Sequence, residues 1–284
     1  MLLGLLMLGL ALELKTEDFR RVFLSPGALL VGLAAQVALL PAFTYLLTLL
    51  LRPAPSVALG LLLIGACPGP AISNVFTFLA RGNVALCVAL TVISTAAAVL
   101  TTPINLALWG AIQPDTSALI KKVSLDPMDV YMNIIMMMGV PLFLGMTLSR
   151  LFPPLAGALR RPFRIFIWIV ILTFIGIALF MNWEVFRRLD GPVVLAVFLH
   201  NALALSLGCL SGLALKLAPG DTRAVCMQVG IQNSALGLIL ILKFFDGLGG
   251  MAVVAAWWGP WSAISGLGVA LFMARGSLPA KHTV

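Results

Sequence analysis

A chain of 284 residues that is 61% apolar and only 10% charged, with a mean hydropathy of +1.11, cannot cover a soluble surface, since soluble domains are about 25% charged. It reads as an all-α polytopic membrane protein, with length for about eight to ten spans of ~20 residues and no separate soluble module. The net charge of +8 marks cytoplasmic loops in such a protein rather than a nucleic-acid partner.

Charges and prolines divide the chain into candidate spans at roughly 1–12, 27–51, 55–80, 83–111, 127–149, 162–182, 191–217, 221–245 and 248–274. The first is apolar from Met1, has no basic leader and is short for a crossing. It is expected to be a short helix or the remainder of a span. Charged connectors follow at Glu13 to Arg21, Asp115 to Asp126 and Glu184 to Asp190.

With nine spans the termini face opposite sides. One side then receives Lys15, Arg20, Arg21, Arg81, Arg150, Arg160, Arg161, Arg164, Lys216, Arg223, Arg275 and Lys281, twelve of the 18 basic residues. That side is expected to be cytoplasmic, with the N-terminus outside and the C-terminus inside a plasma or inner membrane. All ten acidic residues fall at span ends or in connectors.

Two spans are interrupted at mid-depth. The third contains Cys67-Pro68-Gly69-Pro70 followed by Ala71, Ile72, Ser73 and Asn74. Each proline removes an amide donor and crowds the preceding turn, so a continuous helix is excluded. The eighth contains Gln228-Val229-Gly230-Ile231-Gln232-Asn233-Ser234, a glycine between amide side chains. Non-helical backbone at membrane depth is tolerated only where protein buries it or a cavity lines it. Matched breaks in two halves of a chain point to a transporter site at their crossing. Freed carbonyls there suit a cation and freed amides an anion.

Other polar residues inside the spans carry less weight. Gln36 lies five residues before Pro41 and is a further site candidate, as is Thr91; Ser94 and Thr95 are expected to bond back to their own helix. His200 is expected to be a buried, hydrogen-bonded histidine. The Met136 to Met138 run and Trp257, Trp258 and Trp261 are expected to be packing residues and interfacial anchors. Cys67, Cys87, Cys209 and Cys226 all lie in apolar segments, without metal-ligand spacing, and read as small packing residues. Neither His-Glu-x-x-His nor Gly-x-Ser-x-Gly is present and no catalytic acid lies near His200, so no catalytic residue is assigned and an intramembrane enzyme is disfavoured.

The stretches Cys67-Pro68-Gly69, Ser73-Asn74-Val75 and Ala80-Arg81-Gly82-Asn83-Val84-Ala85-Leu86, with Val229 to Ser234 and Ile264-Ser265-Gly266, resemble the bile acid:sodium symporter family. The likeness runs in order from Leu2 to about Ala274, in the nine-span pattern of members that lack the first helix. It implies an inverted five-plus-five repeat with two broken, crossing helices. It also implies a core domain, taken as about 55–149 and 191–245 to 274, and a panel domain built from the remaining spans. The family carries bile acids and smaller carboxylates with two sodium ions, so Na+ and an organic anion are the implied ligands, in a protein that suffices as a monomer.

Carried over by position, the resemblance implies one sodium site from Ser73, Asn74, Cys87, Thr91 and Gln228. A second would use Gln36, Gln228, Val229, Ile231 and Gln232. Substrate would meet Ala71, Ser73, Asn74, Asn233, Ser262 and Ala263. The chain departs from the pattern at Gln228, where the family has Glu, and at Cys87, where it has Ser. The substrate cavity also loses polar groups, at Pro70, Ala71 and Ile72 and at Ser262 and Ala263. A thiol is a poor ligand for a hard cation, and an amide keeps the oxygen while losing the charge. The expected function is secondary transport of an organic anion by alternating access, with sodium coupling put in question. The alternative is an uncoupled or transport-incompetent member that binds without pumping.

Overall fold

The computed structural model describes residues 26–122, 140–159, 161–163, 165, 166, 169 and 191–275. The expected span at 1–12, most of that at 162–182, the first half of that at 127–149 and the Met136 to Met138 run lie outside the described residues. Among the described residues 153–159 are helical, and ten further helices have defined bounds. They are α1 (Pro26–Leu51), α2 (Pro55–Ala66), α3 (Ile72–Leu79), α4 (Val84–Ile112), α5 (Pro114–Lys122), α6 (Val140–Leu151), α7 (Gly191–Ala214), α8 (Pro219–Gly230), α9 (Ser234–Phe244) and α10 (Gly249–Arg275). The segments Pro26–Leu51, Val84–Ile112, Gly191–Ala214 and Pro219–Phe244 are each long and apolar enough to cross a membrane. The last counts α8 and α9 together.

Both breaks are present. α2 ends at Ala66 and α3 begins at Ile72, because Pro68 and Pro70 supply no amide to continue the ladder. α8 ends at Gly230 and α9 begins at Ser234, with Ile231 extended (φ −115°, ψ 121°). α1 contains a third irregularity, a π turn over Ala35–Leu39 in which the Leu40 amide bonds to the Ala35 carbonyl. The Asp115 to Asp126 connector holds a helix where only a loop was expected. Pro114 opens α5 at a position where its missing N–H costs nothing, Asp115 faces the positive helix end, and Thr116 Oγ1 donates to the Gly110 carbonyl (2.6 Å).

Small residues set the packing, as expected where lipid and protein interior are equally apolar. A methyl on Gly208 would lie 2.9 Å from the Cys226 Cα, and one on Gly212 would lie 2.8 Å from Thr222. α7 and α8 therefore touch backbone to backbone. Cys209 and Cys226 are joined there by a disulfide, with 4.3 Å between their Cα atoms. This corrects the reading of both as separate packing residues. Glycines on one helix had made room for the two sulfurs.

α1, counted with the panel from the sequence, packs against α2, α4, α7 and α8. It sits within the body that carries both breaks, because its Gln36 side chain bonds into each of them. The α3–α4 and α7–α8 turns meet at one end of this body. The Asn83 amide donates to the Gly220 carbonyl (2.8 Å) and Asn83 Nδ2 to Asp221 Oδ1 (2.7 Å). Arg81 and Lys216, in those turns, and Arg52, which caps α1, all have left-handed φ values of 47° to 55°. Each places a positive charge against the negative end of the helix it terminates.

Candidate cation and substrate site

The two breaks touch. The Asn233 amide, in the second, donates to the Pro68 carbonyl, in the first (2.9 Å). A methyl on Gly69 would overlap Gln228, lying 2.6 Å from its Cδ and 2.8 Å from its carbonyl oxygen. Only a residue without a side chain lets the broken spans approach this closely. The N-termini of α3 and α9 and the C-termini of α2 and α8 all converge at this crossing, bringing amides and carbonyls of opposite partial charge together.

Most of the carbonyls freed by the breaks have found donors. Thr102 Oγ1 donates to Ala66 (2.8 Å), Gln36 Nε2 to Cys67 (3.0 Å), Gln232 Nε2 to Val229 (2.6 Å) and Asn201 Nδ2 to Gly230 (2.9 Å). Buried backbone groups need such partners. The side chains supplying them come from α1, α4 and α7 as well as from the breaks themselves.

Two polar clusters result. In the first, Gln228 Oε1 lies 2.6 Å from Ser73 Oγ, 2.9 Å from Thr91 Oγ1 and 3.5 Å from Cys87 Sγ. The Ser73 hydroxyl also faces the Pro70 carbonyl (2.7 Å). The Thr91 hydroxyl faces the Cys87 carbonyl (2.9 Å) and Asn74 Oδ1 (3.3 Å). Two hydroxyl hydrogens and the weakly donating Cys87 thiol thus confront the oxygens of Pro70, Cys87, Asn74 and Gln228. Oxygen lone pairs outnumber the protons available to bridge them. Gln228 Nε2 meets Ser94 Oγ (3.4 Å), and Ser94 Oγ itself donates to the Thr91 carbonyl. Ser94 does bond back to its own helix as expected, and it orients the Gln228 amide as well.

The second cluster is a chain of amides. Gln232 gives its Nε2 hydrogen to the Val229 carbonyl, so its Oε1 is left to accept from Gln36 Nε2 (2.7 Å). Gln36 also donates to Cys67, a carbonyl that can only accept, which fixes the amide orientation. Gln36 Oε1 is then buried without a hydrogen-bond partner. An orphaned buried oxygen costs about 1–3 kcal/mol, and a bound cation relieves it.

The structure therefore brings Ser73, Asn74, Cys87, Thr91 and Gln228 together, and separately Gln36, Val229 and Gln232. Ile231 is buried beside the second cluster and its amide bonds to the Met227 carbonyl. Among the described residues no group of His, Cys, Asp or Glu forms a metal cage; both clusters are uncharged and rich in hydroxyl, amide and carbonyl oxygens, the kind of ligand a hard cation takes, with the Cys87 sulfur as the exception.

The substrate candidates are more dispersed. Asn233 caps α9 by accepting from the Leu236 amide (3.0 Å), and Ala71 precedes α3 at the crossing. Ser262 is buried with its hydroxyl donated to the Gly259 carbonyl (2.9 Å), and Ala263 packs with Phe76, Met227 and Ile231. His200 is a satisfied interior histidine, as expected. Trp258 Nε1 donates to its Nδ1 (2.8 Å), so the Nε2 hydrogen faces Thr44 Oγ1 (2.9 Å), joining α1, α7 and α10. Trp258 is accordingly a buried donor rather than an interfacial anchor. Asn201 escaped the sequence reading although it braces the second break. Its position beside His200 in a polar pair was the only signal.

The profile of the Sodium Bile acid symporter family matches residues 1–188. An uncharacterized sodium-dependent transporter of Bacillus subtilis is 29% identical over 96% of this chain and 82% of its own. A probable chloroplastic sodium/metabolite cotransporter of Arabidopsis thaliana is 30% identical over 86% of this chain, which spans only 58% of that protein's length. The mouse P3 protein is 25% identical over 81% of this chain and 47% of its own.

Proposed function

Because this chain belongs to the Sodium Bile acid symporter family, we propose that it is a sodium-dependent transporter of an organic anion, working by alternating access around the crossing of its two broken helices. Symporters move solutes and do not transform them, so the chain is a transporter and not an enzyme. It is a multi-pass membrane protein; we place it in the cell or inner membrane, with the end carrying Arg81, Lys216 and Arg223 toward the cytoplasm.

The observation that carries this reading is the proton-poor oxygen cluster around Gln228, together with the orphaned Gln36 Oε1 beside it. Carbonyl and amide oxygens facing one another with too few hydrogens repel, and a small hard cation between them removes the repulsion. Ser73, Asn74, Thr91 and Gln228 form one such site, with Cys87 a weak neighbour. Gln36, Val229, Gln232 and the Ile231 backbone form the other.

Neither site contains a carboxylate, so binding rests on neutral ligands, and the anionic substrate supplies the countercharge. Positive helix ends at Ile72 and Ser234 face the same crossing and suit a carboxylate. The polar groups lost at Ala71 and Ala263 favour a larger or less polar anion.

The test is the melting temperature of the purified protein in sodium, potassium and choline chloride. A ligand at 100 times its Kd stabilises the folded state by about 2.7 kcal/mol, and a sodium-specific rise is expected. Gln228→Glu returns a charge to the cluster and is expected to lower the half-saturating sodium concentration at least tenfold, about 1.4 kcal/mol. A response confined to the Gln228→Glu protein would reduce this chain to an uncoupled carrier or a binder. Sodium-driven uptake of carboxylates of graded size into proteoliposomes then identifies the substrate class.

A further inference from the structure

The polar stripe along α4 extends well past the groups that face Gln228. At three- and four-residue steps it runs from Cys87 to Thr91 and Ser94, past the buried Ala98 to Thr102, whose hydroxyl holds the Ala66 carbonyl at the end of α2, and on to Asn105. Residues at such steps share one helix face. Asn105 Nδ2 donates to the Thr101 carbonyl of its own helix (2.9 Å) and across to the Val37 carbonyl of α1 (3.0 Å).

That second contact has a covalent cause. In a regular helix the Val37 carbonyl would receive the amide of residue 41. Residue 41 is proline, which has no N–H and whose ring crowds the carbonyl four residues before it. The backbone there takes a π turn over Ala35–Leu39. Single π turns of this kind mark functional sites frequently, and this one is where Gln36 leaves α1 to reach Cys67 and Gln232. Trp109 Nε1 donates to Asn105 Oδ1 (3.1 Å), which turns Nδ2 toward the carbonyls. The Trp109 ring lies 5.3 Å from that of Tyr45 on α1.

We propose that Asn105 is a positioning residue for the cation site: by holding the Val37 carbonyl, to which Pro41 can give no amide, it maintains the π turn that aims Gln36 between the two breaks. The proposal rests on the cation reading given above. It makes α4 the element that braces both interrupted spans and the bulged α1 against one face.

Two readouts test it in nanodiscs, namely amide exchange at residues 36–40 and the sodium concentration giving half-maximal thermal stabilisation, with choline keeping ionic strength constant. Asn105→Leu is expected to speed exchange at 36–40 at least tenfold and to raise the half-saturating sodium concentration at least tenfold. Asn105→Gln, which keeps an amide donor, recovers part of both. Trp109→Phe, which only frees the amide to rotate, moves both in the same direction by about threefold.

Unchanged exchange at 36–40 in Asn105→Leu overturns the proposal. So does a lower melting temperature with unaltered half-saturation and no recovery by Asn105→Gln, which is the signature of a merely structural residue. A wild-type protein indifferent to sodium, whose exchange at 36–40 still rises in Asn105→Leu, upholds the hold on the π turn and overturns the cation reading instead.

Discussion

The two breaks do the same work by different means. The first is written into the local chain, since Pro68 and Pro70 interrupt the ladder twice within three residues with a glycine between them, whereas the lone Pro103 and Pro260 are carried inside helices. The second contains no proline. Gly230, Ile231 and Gln232 could all remain helical, at a cost of about 1 kcal/mol for the glycine. What opens it is a set of bonds from elsewhere. Asn201 takes the Gly230 carbonyl, Gln232 turns back to Val229, and the Asn233 amide is drawn to Pro68. One interruption is imposed by covalent structure and the other by tertiary structure. The second consequently depends on the first, while the reverse dependence is weaker.

The largest effect is expected at the point of contact. Gly69→Ala forces a methyl into Gln228, at a cost of about 1–3 kcal/mol for overpacking. It should abolish any sodium-dependent rise in melting temperature, because it separates the two spans. A normal sodium response in that variant would show that the contact is not needed.

Next comes the brace of the second break. Asn201→Ala leaves the Gly230 carbonyl buried without its donor and removes the acceptor of the Ser265 hydroxyl. About 1–2 kcal/mol of stability should be lost, with faster amide exchange at 229–234 and none of that change at 67–72. Equal loosening at both breaks would contradict the asymmetry.

The smallest effect is expected from the residues that look most disruptive. Returning amides at the first break with Pro68→Ala and Pro70→Ala together should shift stability by less than about 1 kcal/mol. Thr102, Gln36 and Asn233 still hold Ala66, Cys67 and Pro68 open. If this double variant lost more stability than Asn201→Ala, these tertiary bonds would not suffice to hold the first break open once the prolines that impose it are gone.

The same asymmetry explains what could be read from the chain. The first break, the polar segment around Gln228 and the candidates Gln36, Thr91 and Gln232 were legible because prolines and amides are conspicuous in an apolar background. The structure brings Ser73, Asn74, Cys87, Thr91 and Gln228 together in one cluster, and Gln36, Val229 and Gln232 in another. Other features depend on partners distant in sequence. Asn105 looks like an isolated polar residue until the Val37 carbonyl is placed 3.0 Å away. The π turn has no signature beyond Pro41, and α5 lay hidden in a charged connector. The Cys209–Cys226 disulfide required knowing that Gly208 and Gly212 let α7 and α8 come into contact.

The bonded turns at one end of the molecule carry a mechanical consequence. The α3–α4 and α7–α8 turns are fastened through Asn83, Gly220 and Asp221, and Arg223 Nη1 reaches the Ala80 carbonyl (3.2 Å). Together with the contact between Pro68 and Asn233, this joins the broken spans at two separated heights. A single point of attachment would leave them free to swivel about it, like the blades of scissors. Two points remove that freedom, so the broken spans are tied to each other as one unit.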